Sequence, residues 1–102
     1  MLTKFQRKCY QMLSKVPNGK ITTYGDIAKM VGSPKSARAV GQAMKNNKEH
    51  NNIHCYKVVC ADGSIGDFNV GIKDKISRLK KDGIKIVNNK IVTLEKVRFK
   101  LF

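Results

Sequence analysis

The segment Ile53-His54-Cys55-Tyr56-Lys57-Val58-Val59 sets a thiol among an imidazole, a phenol and an ammonium. A cysteine attacks as its thiolate, and with an ordinary pKa of about 8.5 only a small fraction is ionised at neutral pH. Lys57, or the amino end of a helix, would raise that fraction by favouring the anion. Tyr56, with an ordinary pKa of about 10, is a poor proton acceptor at neutral pH, although it can donate a hydrogen bond or relay a proton through water. His54 is the better base, but neighbours in an extended segment face opposite sides, so adjacency does not bring it to the sulfur. On spacing alone, Cys55 also reads as a buried core thiol, the commoner fate of a free cysteine.

The three cysteines, Cys9, Cys55 and Cys60, are odd in number and have no C-x-x-C spacing. That excludes a disulfide framework or a structural zinc site as the expectation, and predicts a reducing, cytoplasmic setting without a metal. Lys and Arg number 21 against 7 Asp and Glu, a formal charge of +14. Such an excess attracts a polyanion through counterion release, so nucleic acid is the expected partner. The alternative is a lysine-rich surface that is simply solvated, since Lys outnumbers Arg. No apolar run approaches the length of a membrane span, and the amino terminus reads as an amphipathic helix, so the expectation is neither a secreted nor a membrane-spanning chain. With 102 residues, 41% of them apolar, residues 1–102 are expected to form one domain.

The elements that must position Cys55 follow from periodicity and turn chemistry. Phe5, Cys9, Met12 and Leu13 form one stripe of a first helix ending before Pro17-Asn18-Gly19. Cys9 on that stripe is a core thiol. Thr23 and Asp26 have capping-box spacing, so a second helix starts near Tyr24 and stops at Gly32. Ser33 is placed to cap a third helix with Pro34 in its first turn. The pair joined by Val31-Gly32-Ser33 is a helix-turn-helix candidate. Asn46 to Asn52 is loop, Val58-Val59 a short buried strand, Asp62-Gly63 a turn, and Ile72, Ile76 and Leu79 mark a fourth helix ending at Gly83. Ile84–Val87 and Lys90–Val92 flank Asn88-Asn89, a two-residue hairpin turn. The expected fold is mainly α with a small β component: a winged helix-turn-helix-like domain of about four helices plus a short C-terminal hairpin. Lys96, Arg98 and Lys100 in the tail read as a solvated hairpin and strand face, or as phosphate contacts.

In order, the chain carries Ile21-Thr22-Thr23-Tyr24-Gly25-Asp26-Ile27-Ala28, then Gly32-Ser33-Pro34-Lys35-Ser36-Ala37-Arg38-Ala39-Val40-Gly41-Gln42-Ala43-Met44, then Asn47. His54-Cys55-Tyr56-Lys57-Val58-Val59, Asp62-Gly63 and Gly66-Asp67-Phe68 follow. From about Phe5 to Gly83 this set resembles the carboxy-terminal DNA-binding domain of the O6-alkylguanine-DNA alkyltransferases, a family that includes the alkyltransferase-like proteins. The resemblance implies a flipped O6-alkylguanine whose alkyl group passes irreversibly to Cys55, with no diffusible cofactor. It also implies a minor-groove complex with double-stranded DNA, and a monomeric chain is expected. Arg38 matches the arginine that fills the gap left by the flipped base, and Ser33, Lys35, Ala37, Gly41 and Lys45 fall on the same DNA-binding segment. Tyr24 matches the tyrosine that crowds the 3′ phosphate. Asn47 matches the hinge between recognition helix and active-site turn, and Asp82 falls at the carboxylate that orients the active-site histidine. Lys57, Val58, Phe68, Asn69 and Val70 correspond to the substrate pocket, where Val70 replaces a common Gly and should disfavour bulky alkyl groups.

The usual active-site string is Pro-Cys-His-Arg-Val-Val, and Tyr56 stands here in the position of the histidine. Losing general-base help typically slows a reaction by about 10²–10⁴. A lesion-sensing protein that binds alkylguanine without transfer and recruits nucleotide-excision-repair factors is the alternative, but its relatives carry another residue, often Trp, where this chain has Cys55. A winged-helix regulator indifferent to damage would explain the charge and the helices, though not the surroundings of Cys55.

Overall fold

The computed structural model describes residues 3–47, 53–66 and 71–99. Helix α1 (Lys4–Leu13) opens with a full capping box: Thr3 Oγ1 accepts the Gln6 N–H at 3.1 Å, and Gln6 Oε1 accepts the Thr3 N–H at 2.8 Å. Its Cys9, Tyr10 and Leu13 face inward, and the Tyr10 hydroxyl donates to the Ala43 carbonyl at 2.5 Å. After the turn at Pro17-Asn18-Gly19, where Gly19 has φ +86°, strand β1 (Thr22–Thr23) runs parallel to β2 (Val58–Val59), pairing Thr22 with Val58 and Thr23 with Val59. Helix α2 (Tyr24–Met30) begins directly from β1, and Thr23 Oγ1 accepts the Asp26 N–H at 3.0 Å. Gly32, at φ +83°, makes the turn out of α2.

Helix α3 spans Ala37–Lys45 with Ser36 at its N-cap, three residues later than the Ser33 cap expected from sequence. The Ser36 N–H donates back to the Ser33 carbonyl at 2.9 Å. Pro34, with φ fixed near that of the first central turn position, therefore serves a tight turn rather than the first turn of a helix. Helices α1, α2 and α3 pack together around Cys9, Leu13, Val16, Ile27, Ala28, Val40 and Met44.

A single 3-10 turn, Cys55–Lys57, leads into β2. Helix α4 (Ile72–Lys81) ends at Asp82, followed by Gly83 at φ +88°. The hairpin of β3 (Ile86–Val87) and β4 (Lys90–Ile91) turns on Asn88 and Asn89 at φ 52° and 59°. That is the left-handed pair a two-residue hairpin of matching twist needs. Helix α5 (Leu94–Val97) lies in the tail, where the sequence predicts a hairpin and strand face. Arg98 is not a solvated side chain but is paired within the fold. Its Nε and Nη2 donate to Asp26 Oδ2 and Oδ1, both at 2.8 Å, and its side chain is 19% exposed.

A second apolar cluster joins Ile21, Tyr56, Val59, Ile65, Leu79, Ile84 and Ile91. Strand alternation divides the two cores, because Val58 enters the first and Val59 the second. Cys55 and Tyr56 divide in the same way.

Candidate active site and nucleic-acid interface

Cys55 opens the 3-10 turn and is 2% exposed. It sits at the edge of a cavity of about 480 Å³ that Tyr24, Ala37, Arg38, Gly41 and Lys45 also line. The 3-10 turn thus holds the thiol at a cavity that residues of α3 also line. Asn47, two residues past that helix and 2% exposed, donates its amide to the Ile53 carbonyl at 2.8 Å and to Cys55 Sγ at 3.3 Å. The side chain therefore ties the end of the helix to the turn. Burial raises the Cys55 pKa, opposed by the Asn47 hydrogen bond and by the charges of Lys75 and Arg78, and the net direction is upward. The resting side chain is a thiol. Cys9 is buried in the first core, its thiol pushed up to about 11, and has no access to chemistry.

Tyr56 does not face the sulfur. Its ring lies in the second cluster, with the Arg78 guanidinium 5.9 Å from the ring centre, and its hydroxyl donates to Asp82 Oδ2 at 2.7 Å. Asp82 thus meets the side chain in the histidine position, but a hydroxyl that donates to a carboxylate holds its proton. Burial first, and then the Asp82 contact, push the Tyr56 pKa far upward, which removes it as a general base. The His54 ring is 5.6 Å from that of Tyr56, and both border a separate cavity with Asp74, Arg78 and Asp82. His54 is therefore grouped with Tyr56 rather than with Cys55.

Lys57 is a correction. It is 3% exposed and donates from Nζ to the Val16 carbonyl and to Asn18 Oδ1, both at 3.0 Å. It thus braces the turn after α1 instead of lining the pocket or supporting the thiolate. The Val58 side chain is wholly inside the first core. Phe68, Asn69 and Val70 lie outside the described residues.

Of the two positive charges that act on Cys55, the stronger is that of Lys75 on α4, which is fully buried. Its Nζ donates to the Ile65 carbonyl at 2.5 Å and stands 5.8 Å from the centre of the Tyr24 ring. Sequence reading missed it among the lysines of α4, yet a signal was there. Ile72, Lys75, Ile76 and Leu79 fall at i, i+3, i+4 and i+7, so Lys75 holds a core position on the apolar stripe.

Arg38 and Lys45 project from the exposed side of α3 and Lys35 from the turn before it, while Ser33 and Ala37 are half-buried. Gly41 lies on the same face, and a Cβ built there meets nothing within 4 Å among the described residues. Among the described residues no group of three or more possible metal ligands occurs, and no helix is long and apolar enough to cross a membrane.

Residues 4–84 match the family described as 6-O-methylguanine DNA methyltransferase, DNA binding domain. The chain belongs to this family of DNA-repair alkyltransferases. It is 46% identical over 93 residues to a bifunctional methyltransferase/endonuclease of Picrophilus torridus, a match covering 91% of this chain and 31% of the relative. Its fold is similar to that of S. pombe Atl1 solved with damaged DNA containing O6-carboxymethylguanine, at TM-score 0.86 and 30% identity, covering 98% of this chain and 99% of that one. It is also similar to the O6-methylguanine-DNA methyltransferase of Pyrococcus kodakaraensis, at TM-score 0.74 and 40% identity, covering 81% and 48%. The chain thus spans under a third of the first relative and about half of the second enzyme.

Proposed function

We propose that this chain repairs DNA by taking an O6-alkylguanine, rotated out of the duplex, into the cavity beside α3 and accepting its alkyl group on Cys55. The observation that carries this is the sharing of one cavity by Cys55, Tyr24 and Arg38, with Asn47 joining helix to sulfur. In the reaction the Cys55 thiolate attacks the alkyl carbon, the bond from that carbon to O6 breaks, and the electron pair leaves on the guanine, which takes up a proton. The product thioether is stable, so each molecule turns over once. Burial excludes water from the sulfur and strengthens the pull of the Lys75 charge on the anion. Lys75 then does by electrostatics part of what a histidine base would do by proton transfer.

The helix face supports the DNA half of the reading. Glycine within a helix is about 1 kcal/mol less favourable than alanine, and none of the described residues occupies the space at Gly41. The missing side chain leaves room for something outside the protein, and a groove backbone is what the +14 charge attracts. Arg38 fills the vacated stack and Tyr24 crowds the phosphate in the minor groove. A monomer in the cytoplasm accounts for the work.

A specific observation favours a second reading, in which the chain binds the lesion and hands it to excision-repair factors without transfer. The thiol is raised in pKa, Tyr56 in the histidine position holds its proton, and the likeness to S. pombe Atl1 extends over nearly the whole chain. Intact-protein and peptide masses after incubation with an O6-methylguanine duplex separate the two. Transfer adds about 14 Da to the Cys55 peptide, absent in Cys55→Ala. Selective binding with no gain of mass establishes sensing, and binding indifferent to the lesion removes both. Transfer is expected to favour methyl over benzyl, because Val70 stands in the sequence where the family commonly has Gly.

A further inference from the structure

Residues 85–99 lie beyond the stretch that matches the family, yet they hold both walls of the cavity mouth. One wall is Tyr24, bracketed in sequence by Ile21 and Asp26. The Ile21 N–H donates to the Val97 carbonyl and the Phe99 N–H to the Ile21 carbonyl, both at 2.8 Å. Arg98 closes the bracket with two hydrogen bonds to the buried Asp26 carboxylate. The other wall is the loop through Gly66. There the Ile65 N–H donates to the Asn89 carbonyl at 3.1 Å and the Ile91 N–H to the Gly63 carbonyl at 2.9 Å. The walls stand close together: a Cβ built on Gly66 would lie 3.3 Å from the Tyr24 hydroxyl.

We infer that the C-terminal segment is a brace that sets the opening between Tyr24 and Gly66, and that Arg98 is a positioning residue for base flipping. The inference rests on the proposed entry of a flipped base into this cavity. A tyrosine that must crowd a phosphate works only if its backbone cannot retreat, and a displacement of about 1 Å in a site of this kind can lower a rate by about 10²-fold. Helix α2 is seven residues long, too short to hold that position by its own hydrogen bonds. A two-bond guanidinium–carboxylate contact has the planar geometry to fix it, which an ammonium lacks.

The test compares wild type with Arg98→Met, Arg98→Lys and Asp26→Asn, each at a temperature where circular dichroism shows it folded. The readouts are affinity for an O6-methylguanine duplex, affinity for the same duplex undamaged, and fluorescence of 2-aminopurine at the flipping position. Arg98→Met should keep its undamaged affinity within about twofold, because α3 is untouched, and lose about tenfold in lesion preference with loss of the flipping signal. Arg98→Lys should recover only part. Lesion preference within twofold of wild type in a folded Arg98→Met or Asp26→Asn overturns the brace. Hydrogen exchange of the wild-type chain covers the case in which neither variant folds: lesion DNA must slow the Ile21 and Phe99 amides more than undamaged DNA does, and equal slowing overturns it. A wild type without lesion preference removes the functional reading and the brace together, whereas preference kept in wild type and variant alike removes the brace alone.

Discussion

At Cys55 two effects compete, burial that raises the thiol pKa and the nearby cations that lower it, and burial wins. The reaction with iodoacetamide should therefore climb with pH through and beyond about 8.5, the ordinary thiol value, without levelling below it. Lys75→Met removes one of the two opposing cations and should move the inflection higher still, while Lys75→Arg holds it near wild type. An unchanged profile in Lys75→Met would show that its charge does not reach the sulfur. Tyr56→His puts an imidazole where Asp82 already offers a carboxylate to orient it. Methyl transfer should quicken by at least about tenfold, at the modest end of what a general base contributes, as measured by quenched-flow transfer of label from a methylated duplex. No gain would mean that the histidine position, which faces the second core here, cannot reach the thiol.

The function proposed for helix α3 lies on its exposed side, where Arg38 and Lys45 project. Gly41→Ala should raise stability by about 1 kcal/mol, read from urea melts, and yet weaken binding to damaged and undamaged duplex alike, read by anisotropy. A stabilised variant with unchanged DNA affinity would contradict the close approach assigned to this face. The start of α3 shows why element boundaries are hard to read from sequence. Ser33-Pro34 satisfies the chemistry of a helix start and of a tight turn equally, and tertiary packing of α3 on α2 selects the turn. The hairpin was easier, because two adjacent asparagines at positive φ suit one kind of turn.

Across the whole molecule the charges are segregated. Asp26 is the one acidic residue before Glu49, and it is buried against Arg98, so the exposed charges of α1, α2 and α3 are all positive. Lys35→Ala should reduce the slope of log affinity against log salt by about 0.9 and weaken all duplexes equally. A change confined to damaged DNA would assign Lys35 to the lesion instead. The same ion pair gives an acid limit to the fold. Burial raises the Asp26 pKa, but the hydrogen bonds and charge of Arg98 outweigh it, so the folded value lies below the unfolded one of about 3.9. Its stabilisation is complete above the unfolded value and is lost as pH falls through the folded value. Acid titration should show wild type losing stability below about pH 4, a component that Asp26→Asn lacks; identical acid curves would disprove the linkage.

The sequence by itself determined the family, through the order in which Cys55 follows the two helices, and it supplied the resemblance on which the roles proposed for Arg38, Tyr24 and Asn47 rest. Those inferences rest on local spacing and residue type, which survive without coordinates. Only the tertiary structure decided which side chains surround the sulfur. A one-residue alternation sends Tyr56 away from Cys55, long-range packing sends Lys57 to the turn after α1, and the partners of Lys75 and Arg98 lie 10 and 72 residues away. Contacts at such separations depend on how elements pack, and a pattern read along the chain carries no distance across it.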